Sequence, residues 1–275
     1  MGGTVAVGLV QMRSGVDPVR NLKAAEALIT RAAEAGARYV FTPETTHLVQ
    51  RDRDAALAAM RAPDDDPAVG FFADLAERLG VWLMIGSLAF KVGPEQAVNR
   101  SLAFSPQGRL VASYDKIHLF DIALGGGESY YESETYRPGD TAVLVDAGAF
   151  KLGLTICYDL RFPHLYRDLA KAGAQVIAAP AAFTRPTGRA HWAVLVRARA
   201  IETGAFVVAA AQGGSHEDGR GTWGRSMVAD PWGRVIAALD DDAPGVLNAT
   251  LDMAAVAEAR ARIPALTHDR AYAAP

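Results

Sequence analysis

An α/β fold is predicted from three features of the sequence. Short apolar runs rich in β-branched residues alternate along the chain with longer segments of helical period. Two pairs of apolar runs flank short turn sequences, which indicates antiparallel pairing beside the strand–helix units. No Pro- or Gly/Ser-rich linker divides the 275 residues, and the sequence contains no internal repeat. Together these features favour one α/β domain with mixed sheets and outer helices.

The first half of the chain alternates strand and helix signals. Residues 18–35 have apolar side chains at helical spacing, among them Leu22, Ala25 and Ile29, which predicts an amphipathic helix. The predicted strands of this half are 4–12, 37–42, 81–88, 100–104 and 110–114, and a second helix is predicted at 71–79. The last two strands flank the turn sequence SPQG at 105–108, so we expect them to form a hairpin.

The second half opens on a segment without a clear period. Residues 121–140 contain four glycines, one proline and several polar residues, which predicts a long loop of the kind that often carries function. Regular segments then resume, and Pro163 suits the first turn of a helix. The predicted strands are 141–145, 151–156, 174–179, 205–211, 226–229, 234–238 and 246–251, and helices are predicted from 163, at 191–203 and at 253–260.

Composition excludes several functional classes. The chain has 28 Lys and Arg against 31 Asp and Glu, a formal net charge of −3, which argues against a nucleic-acid-binding or polybasic membrane-binding surface. No apolar stretch approaches the ~18 residues of a spanning helix, and the N-terminal apolar run lacks the flanks of a signal peptide. The single cysteine, Cys157, excludes an intramolecular disulfide and argues against a cysteine-based zinc site. We therefore expect a cytoplasmic protein.

The single cysteine lies where a predicted strand changes into a predicted helix. A nucleophile at such a sharp turn is exposed above the sheet edge, with backbone N–H groups nearby for an oxyanion. The alternative is that Cys157 is only a small buried hydrophobe, as many free cysteines are. A thiol also needs a base or a nearby cation before it can act as a nucleophile at neutral pH.

Two charged residues occupy comparable positions at strand ends. Lys116 follows an apolar strand and precedes an apolar triplet, a setting that is unfavourable for an ammonium without a partner. Glu44 follows the second predicted strand, and ligands in α/β sheets gather at such ends. Taken singly, each could be an ordinary surface charge. Together with Cys157 they form a base, a cation and a nucleophile suited to acyl transfer.

These motifs resemble those of the nitrilase superfamily of carbon–nitrogen hydrolases. The matching segments read FTPE at 41–44, YDKIH at 114–118 and GLTICYDLRFP at 153–163. The resemblance implies a four-layer α-β-β-α sandwich of two mixed sheets with outer helices. It further implies that Glu44 is the general base, that Lys116 stabilises the oxyanion and donates a proton, and that Cys157 is the nucleophile.

The resemblance also assigns supporting residues. The backbone N–H of Tyr158 would complete the oxyanion hole. A second glutamate in the loop after the lysine supports catalysis in this family, and Glu132 is the matching position, with Glu128 as a weaker candidate. No metal or organic cofactor is implied, and a homodimer or higher homo-oligomer is expected.

Within the superfamily, the sequence resembles the branch that contains ω-amidase and deaminated glutathione amidase. The segments that carry this likeness are CYDLRFP at 157–163, FTRPTGRAHW at 183–192, RARAIE at 197–202, WGRSM at 223–227 and DPWG at 230–233. The substrate implied is a small amide that carries a carboxylate. Arg161 is the candidate fork for that carboxylate, with a structural salt bridge as its alternative role. Phe183 and Thr187 are candidate pocket residues, and Arg225 departs from the family pattern.

The sequence is also compatible with other interpretations. The six histidines show no HxxxH or HExxH spacing, so a metal site is not expected, but a Cys–His dyad with His118 or His191 is possible. Within catalysis, the substrate could instead be α-ketoglutaramate, an N-carbamoyl compound or a nitrile. Outside catalysis, the chain could be a scaffold or interaction module without activity.

Overall fold

A computed structural model describes residues 3–125 and 128–273 of the chain. Its helices are α1 (Pro18–Glu34), α2 (Arg53–Ala59), α3 (Pro67–Leu79), α4 (Pro163–Lys171), α5 (Arg185–Thr203) and α6 (Ala254–Arg262). The strands of the N-terminal half are β1 (Thr4–Gln11), β2 (Tyr39–Phe41), β3 (Trp82–Lys91), β4 (Ala97–Phe104), β5 (Leu110–Asp115), β6 (Asp121–Gly125) and β7 (Glu128–Tyr131). The remaining strands are β8 (Val143–Asp146), β9 (Lys151–Leu154), β10 (Val176–Ala178), β11 (Phe206–Ala209), β12 (Gly213–Ser215), β13 (Gly221–Trp223), β14 (Met227–Ala229), β15 (Val235–Ala238) and β16 (Gly245–Asp252).

Two six-stranded mixed sheets form the centre of the fold. The first has the strand order β16-β1-β2-β3-β4-β5, and the second has the order β15-β14-β11-β10-β9-β8. In each sheet the parallel strands lie in the middle and the antiparallel pairs lie outside them. Parallel strands are normally buried on both faces of a sheet, and the middle of each sheet is where both faces are packed against other layers.

The alternation of side chains along the strands divides the core into layers. In β1, Val7 and Leu9 belong to the core that the two sheets share, whereas Val10 belongs to the core beneath α1 and α3. In the second sheet, Gly153 of β9 lies close against Leu169 of α4. The layers therefore follow the order helices, sheet, sheet, helices, which confirms the predicted four-layer α/β sandwich. Among the described residues, no helix is long and apolar enough to cross a membrane.

The predicted long loop at 121–140 is wrong for much of its length. Strands β6 and β7 pair antiparallel, with Asp121 opposite Tyr131 and Ala123 opposite Ser129, and a 3₁₀ turn at Glu132–Glu134 follows. The glycine run at 125–127 hides the strand alternation in the sequence, and Gly126 and Gly127 lie outside the described residues.

Helix α2 and the β12–β13 hairpin were not predicted from the sequence, and two helices begin earlier than predicted. Helix α5 begins at Arg185, since Pro186 fits its first turn, and α3 begins after Asp66, whose side chain accepts a hydrogen bond from the N–H of Ala68.

A bulge in β3 brings the first sheet close to the turn that carries Glu44. The register between β3 and β4 shifts between Ile85 and Leu88. A Cβ atom on Gly86 would lie 2.2 Å from the carbonyl oxygen of Thr42 and 2.4 Å from that of Pro43. The next residue, Ser87, accepts a hydrogen bond through Oγ from the N–H of Thr45 at 2.8 Å. Only glycine permits this approach of two backbones, so Gly86 helps to set the position of the Glu44 turn.

We expect Gly86→Ala to lower the free energy of unfolding by about 2–3 kcal/mol, because the methyl group would have to displace backbone carbonyls. Urea unfolding at one fixed protein concentration measures the change. Gly70→Ala is the matched control, since a Cβ at this position of α3 meets nothing within 4 Å. It should stabilise the chain by up to about 1 kcal/mol. Equal effects of the two substitutions would contradict the role given to Gly86.

Candidate active site

Cys157 lies at the turn between β9 and α4. It opens a short 3₁₀ helix, Cys157–Arg161, and its backbone φ of 48° is left-handed, which is unusual for a residue with a Cβ. Its N–H donates to the carbonyl of Pro180 at 2.8 Å, which ties the turn to the end of the neighbouring strand. The side chain is 8% exposed. The turn therefore holds the backbone of Cys157 in place with its thiol nearly buried.

Glu44 and Lys116 form a buried ion pair. The Lys116 ammonium donates to Oε1 of Glu44 at 2.9 Å, and the two side chains are only 2% and 6% exposed. The other oxygen of Glu44, Oε2, accepts a hydrogen bond from the N–H of Ala182 at 2.9 Å. Both carboxylate oxygens are thus held, one by each sheet's loops, and the pair is strongly oriented.

Glu132 is a second carboxylate on the same ammonium. Its Oε2 lies 2.8 Å from the Lys116 Nζ and also accepts from the N–H of Phe120 at 2.7 Å. Lys116 therefore lies between two glutamates. The hairpin β6–β7, where a loop was expected, is what delivers Glu132 to this place. The side chain of Glu128, the weaker candidate, lies outside what the structure describes.

Asn99 joins the two carboxylates and was missed in the sequence analysis. Its Nδ2 donates to Oε1 of Glu44 at 3.0 Å and to Oε1 of Glu132 at 3.2 Å, and the residue is 3% exposed. A signal was present, because Asn99 is a polar residue inside an apolar strand, but the predicted strand began only at position 100.

Asp159 was also missed, and it connects the two segments that carry Lys116 and Cys157. Its buried carboxylate accepts hydrogen bonds from the N–H of Ile156 at 2.8 Å and from the Tyr114 hydroxyl at 2.7 Å. His118 contributes its backbone N–H at 3.1 Å and its ring Nδ1 at 2.7 Å. These bonds fix the end of β5 against the Cys157 turn. They also place His118 in a structural role.

The ionisation of the group follows from burial and from the two carboxylates. Burial raises the pKa of the Cys157 thiol well above its ordinary value, and the negative charge of Glu44 adds to the shift. For Lys116, burial opposes the charged form, but the carboxylates of Glu132 and Glu44 outweigh it and raise the pKa of the ammonium well above its ordinary value. The site therefore holds a permanent cation and a protonated thiol, and the thiol needs a base before it can attack.

These residues surround one cavity of about 330 Å³. The predicted site residues that line it are Glu44, Lys116, Glu132, Cys157, Tyr158, Arg161, Phe183 and Thr187. Its volume is within the usual range for small-molecule sites, ~300–1,000 Å³. His118 and His191 are not among its lining residues, so the geometry gives no support to a Cys–His dyad. Within the described part of the chain, no group of three or more His, Cys, Asp or Glu side chains could hold a metal ion.

The candidate substrate-binding residues differ in their surroundings. The Arg161 guanidinium lies 5.8 Å from the Tyr158 ring centroid and 5.4 Å from that of Phe183, and no carboxylate of the described residues pairs with it. Phe183 also packs against Trp192, and the centroids of the two rings are 5.1 Å apart. Arg225 does not line the cavity; its guanidinium lies 3.9 Å from the ring centroid of Trp223.

Comparison with known proteins gives a family match over most of the chain. The model of the family described as carbon-nitrogen hydrolase matches residues 6–261. The chain belongs to the carbon-nitrogen hydrolase family. It is therefore a hydrolase that acts on carbon–nitrogen bonds, and the predicted likeness to the nitrilase superfamily is confirmed.

Individual relatives show how far the similarity extends. The deaminated glutathione amidase of Yersinia enterocolitica is 39% identical over 267 residues, which cover 96% of this chain and 92% of the relative. The crystal structure of the C. elegans NitFhit protein matches with a TM-score of 0.90 and 36% identity over 98% of this chain, which spans only 65% of that protein. The amidase from Nesterenkonia sp. AN1 matches with a TM-score of 0.79 and 28% identity over 92% of each chain, and it has been solved with an acetamide moiety added covalently at its active site cysteine.

Proposed function

We propose that this carbon–nitrogen hydrolase is an amidase that cleaves deaminated glutathione through a thioester on Cys157. The proposal is carried by one observation, the meeting of Cys157, Glu44 and Lys116 at a single buried cavity. The similarity to the deaminated glutathione amidase of Yersinia enterocolitica supports this choice of substrate.

Glu44 is the base in the first half of the reaction. It takes the thiol proton of Cys157, and the sulfur attacks the amide carbon. Moving this proton from sulfur to carboxylate leaves the net charge of the buried group unchanged, so the step needs no added charge in the cavity. This explains how a thiol with a raised pKa can serve as the nucleophile.

Lys116 and the N–H of Tyr158 stabilise the tetrahedral oxyanion. Its collapse breaks the C–N bond as the departing nitrogen takes the proton, so the dipeptide Cys-Gly leaves as an amine and the acyl group remains as a thioester. Water, activated by Glu44, then attacks the thioester carbon. The products of this half are α-ketoglutarate and the regenerated thiol.

Glu132 and Asn99 hold the charged group in place. Glu132 keeps the Lys116 ammonium between two carboxylates, and Asn99 donates to both of them. Because these hydrogen bonds already hold the ammonium, Lys116 does not have to move when the oxyanion forms. Charges that are held in place in this way give the largest electrostatic stabilisation of a transition state.

A kinetic panel tests the substrate. We expect the highest kcat/KM for deaminated glutathione, with Cys-Gly and α-ketoglutarate formed in equal amounts, and lower values for α-ketoglutaramate, an N-carbamoyl amino acid and a nitrile. A preference for α-ketoglutaramate would make the protein an ω-amidase instead. The absence of turnover with all four would contradict the proposed activity and favour a scaffold role.

The expected homodimer or higher homo-oligomer and the cytoplasmic location stay predictions. A sedimentation measurement of mass against the 29.1 kDa of one chain checks the first.

A further inference from the structure

A second arginine reaches the cavity from a different part of the fold. Arg220 lies in the loop between β12 and β13 and lines the same cavity as Cys157. Arg161, by contrast, enters from the turn that follows Cys157.

Hydrogen bonds hold the loop that carries Arg220. The carbonyl of Arg220 accepts from the N–H of His216 at 2.8 Å, and the N–H of Gly219 donates to the carbonyl of His216 at 3.1 Å. The His216 ring is itself held between the carbonyl of Ser14 and the hydroxyl of Thr222, each at 2.7 Å. These contacts hold the backbone of the loop at Arg220 against the rest of the fold.

One side of the guanidinium is already bound. Nε of Arg220 donates to Oδ2 of Asp218 at 2.7 Å, and the Asp218 side chain is 1% exposed whereas that of Arg220 is 27% exposed. Within the described residues, no protein acceptor pairs with its Nη1 or Nη2. Asp218 therefore orients the side chain and leaves two N–H-bearing nitrogens available for an anion.

The charges around the cavity favour an anionic ligand. Its lining includes five cationic side chains and three carboxylates, namely Arg51, Arg53, Lys116, Arg161 and Arg220 against Glu44, Glu132 and Glu134. Two of the carboxylates, Glu44 and Glu132, are already bonded to Lys116. Two arginines on separate elements then suit a substrate with two separate carboxylates.

We propose that Arg220 is a specificity-determining residue that binds a carboxylate on the leaving-amine half of the substrate. Arg161 takes the carboxylate of the acyl half. The enzyme is then selective for amides whose amine portion ends in a carboxylate, as a peptide does, over amides that release ammonia. This inference rests on the proposed function and extends it to the second end of the substrate.

The test compares deaminated glutathione with the same compound carrying a C-terminal carboxamide. We expect the wild type to prefer the acid by about 10- to 100-fold in kcat/KM, the range for a charged hydrogen-bonded contact. Arg220→Gln should reduce this preference to near unity, because it lowers kcat/KM for the acid and leaves kcat/KM for the carboxamide unchanged. Arg220→Lys should retain part of the preference, because it keeps the charge and loses the fork.

Two controls separate binding from folding. α-Ketoglutaramate has no carboxylate on its leaving group, so its kcat/KM should be unchanged by Arg220→Gln if the variant is folded. Arg234→Gln removes a similar pair outside the cavity, in which the Arg234 Nε donates to Asp230 at 2.7 Å, and should leave the preference intact.

The outcomes distinguish this inference from the proposed function. If Arg220→Gln slows the acid and the carboxamide equally, or slows neither, Arg220 does not bind the carboxylate and the inference fails while the amidase activity stands. If the wild type cleaves α-ketoglutaramate but neither glutathione derivative, the proposed substrate itself is wrong.

Discussion

Replacing Cys157 with alanine is expected to lower kcat by more than about 10⁴-fold and to leave the protein folded. Without sulfur no thioester can form, and neither Glu44 nor Lys116 supplies a second nucleophile. Release of Cys-Gly from deaminated glutathione measures the loss, and the circular dichroism spectrum and urea midpoint report the fold.

The fold should survive because the position demands little of the cysteine side chain. Alanine has the same Cβ, so the left-handed φ of 48° is no more strained than before. Removing one sulfur atom from a side chain that lines a cavity costs about 1 kcal/mol. The loss of activity can then be assigned to chemistry.

Cys157→Ser is the matched control. The serine hydroxyl keeps the shape of the site and can still donate to Glu44, but an alcohol is a far weaker acid than a thiol. We expect this variant to be folded and nearly as inactive as Cys157→Ala. If the alanine variant has wild-type activity, and this activity elutes together with the purified protein, the reaction does not pass through this sulfur.

The positions of the three charged or nucleophilic residues could be anticipated because each follows directly from a strong local signal. Glu44, Lys116 and Cys157 all come just after an apolar strand, and strand ends of a layered sheet meet at one rim. The strands themselves were predicted from composition and period, and all of β1, β9 and β16 lie where the sequence places them to within a few residues.

The surroundings of these residues could not be anticipated, since they depend on register and on pairing between distant segments. Asn99 reaches Glu44 only because β4 pairs with β3 across the bulge at Gly86. Glu132 reaches Lys116 only because β6 pairs with β7, and the glycines in this part of the sequence hide the alternation of the two strands. Arg220 lies in a short loop between two strands of three residues each. Strands this short leave no recognisable alternation of apolar and polar residues, so nothing in the sequence pointed to Arg220.

Lys116→Arg is expected to lower kcat/KM by more than about 10³-fold in a folded protein. The Lys116 Nζ lies 2.9 Å from one carboxylate and 2.8 Å from the other in a buried space. A guanidinium is planar and larger, so it cannot keep both contacts and also present a point charge to the oxyanion. Steady-state kinetics on deaminated glutathione measures the effect, and activity close to the wild type would contradict the role of Lys116.

Lys116→Met separates the structural part of this role from the catalytic part. It leaves Glu44 and Glu132 buried without their cation, which should lower the free energy of unfolding at pH 7 by about 3–5 kcal/mol. In the folded variant the two neighbouring carboxylates repel each other, and protonation of either one relieves this repulsion, so acid favours the folded state. The variant should therefore become less destabilised, relative to the wild type, as the pH falls from 7 towards 5.

The double variant Lys116→Met/Glu132→Gln is the decisive comparison. Removing one of the two negative charges should restore a substantial part of the stability lost at pH 7 and flatten the pH dependence, because a single carboxylate still bonded to Asn99 and Ala182 has no like charge beside it. Activity should not return, since the cation that stabilises the oxyanion is still absent. If the double variant is no more stable than Lys116→Met, the destabilisation does not come from paired carboxylates, and Lys116 is held in place by packing rather than by charge.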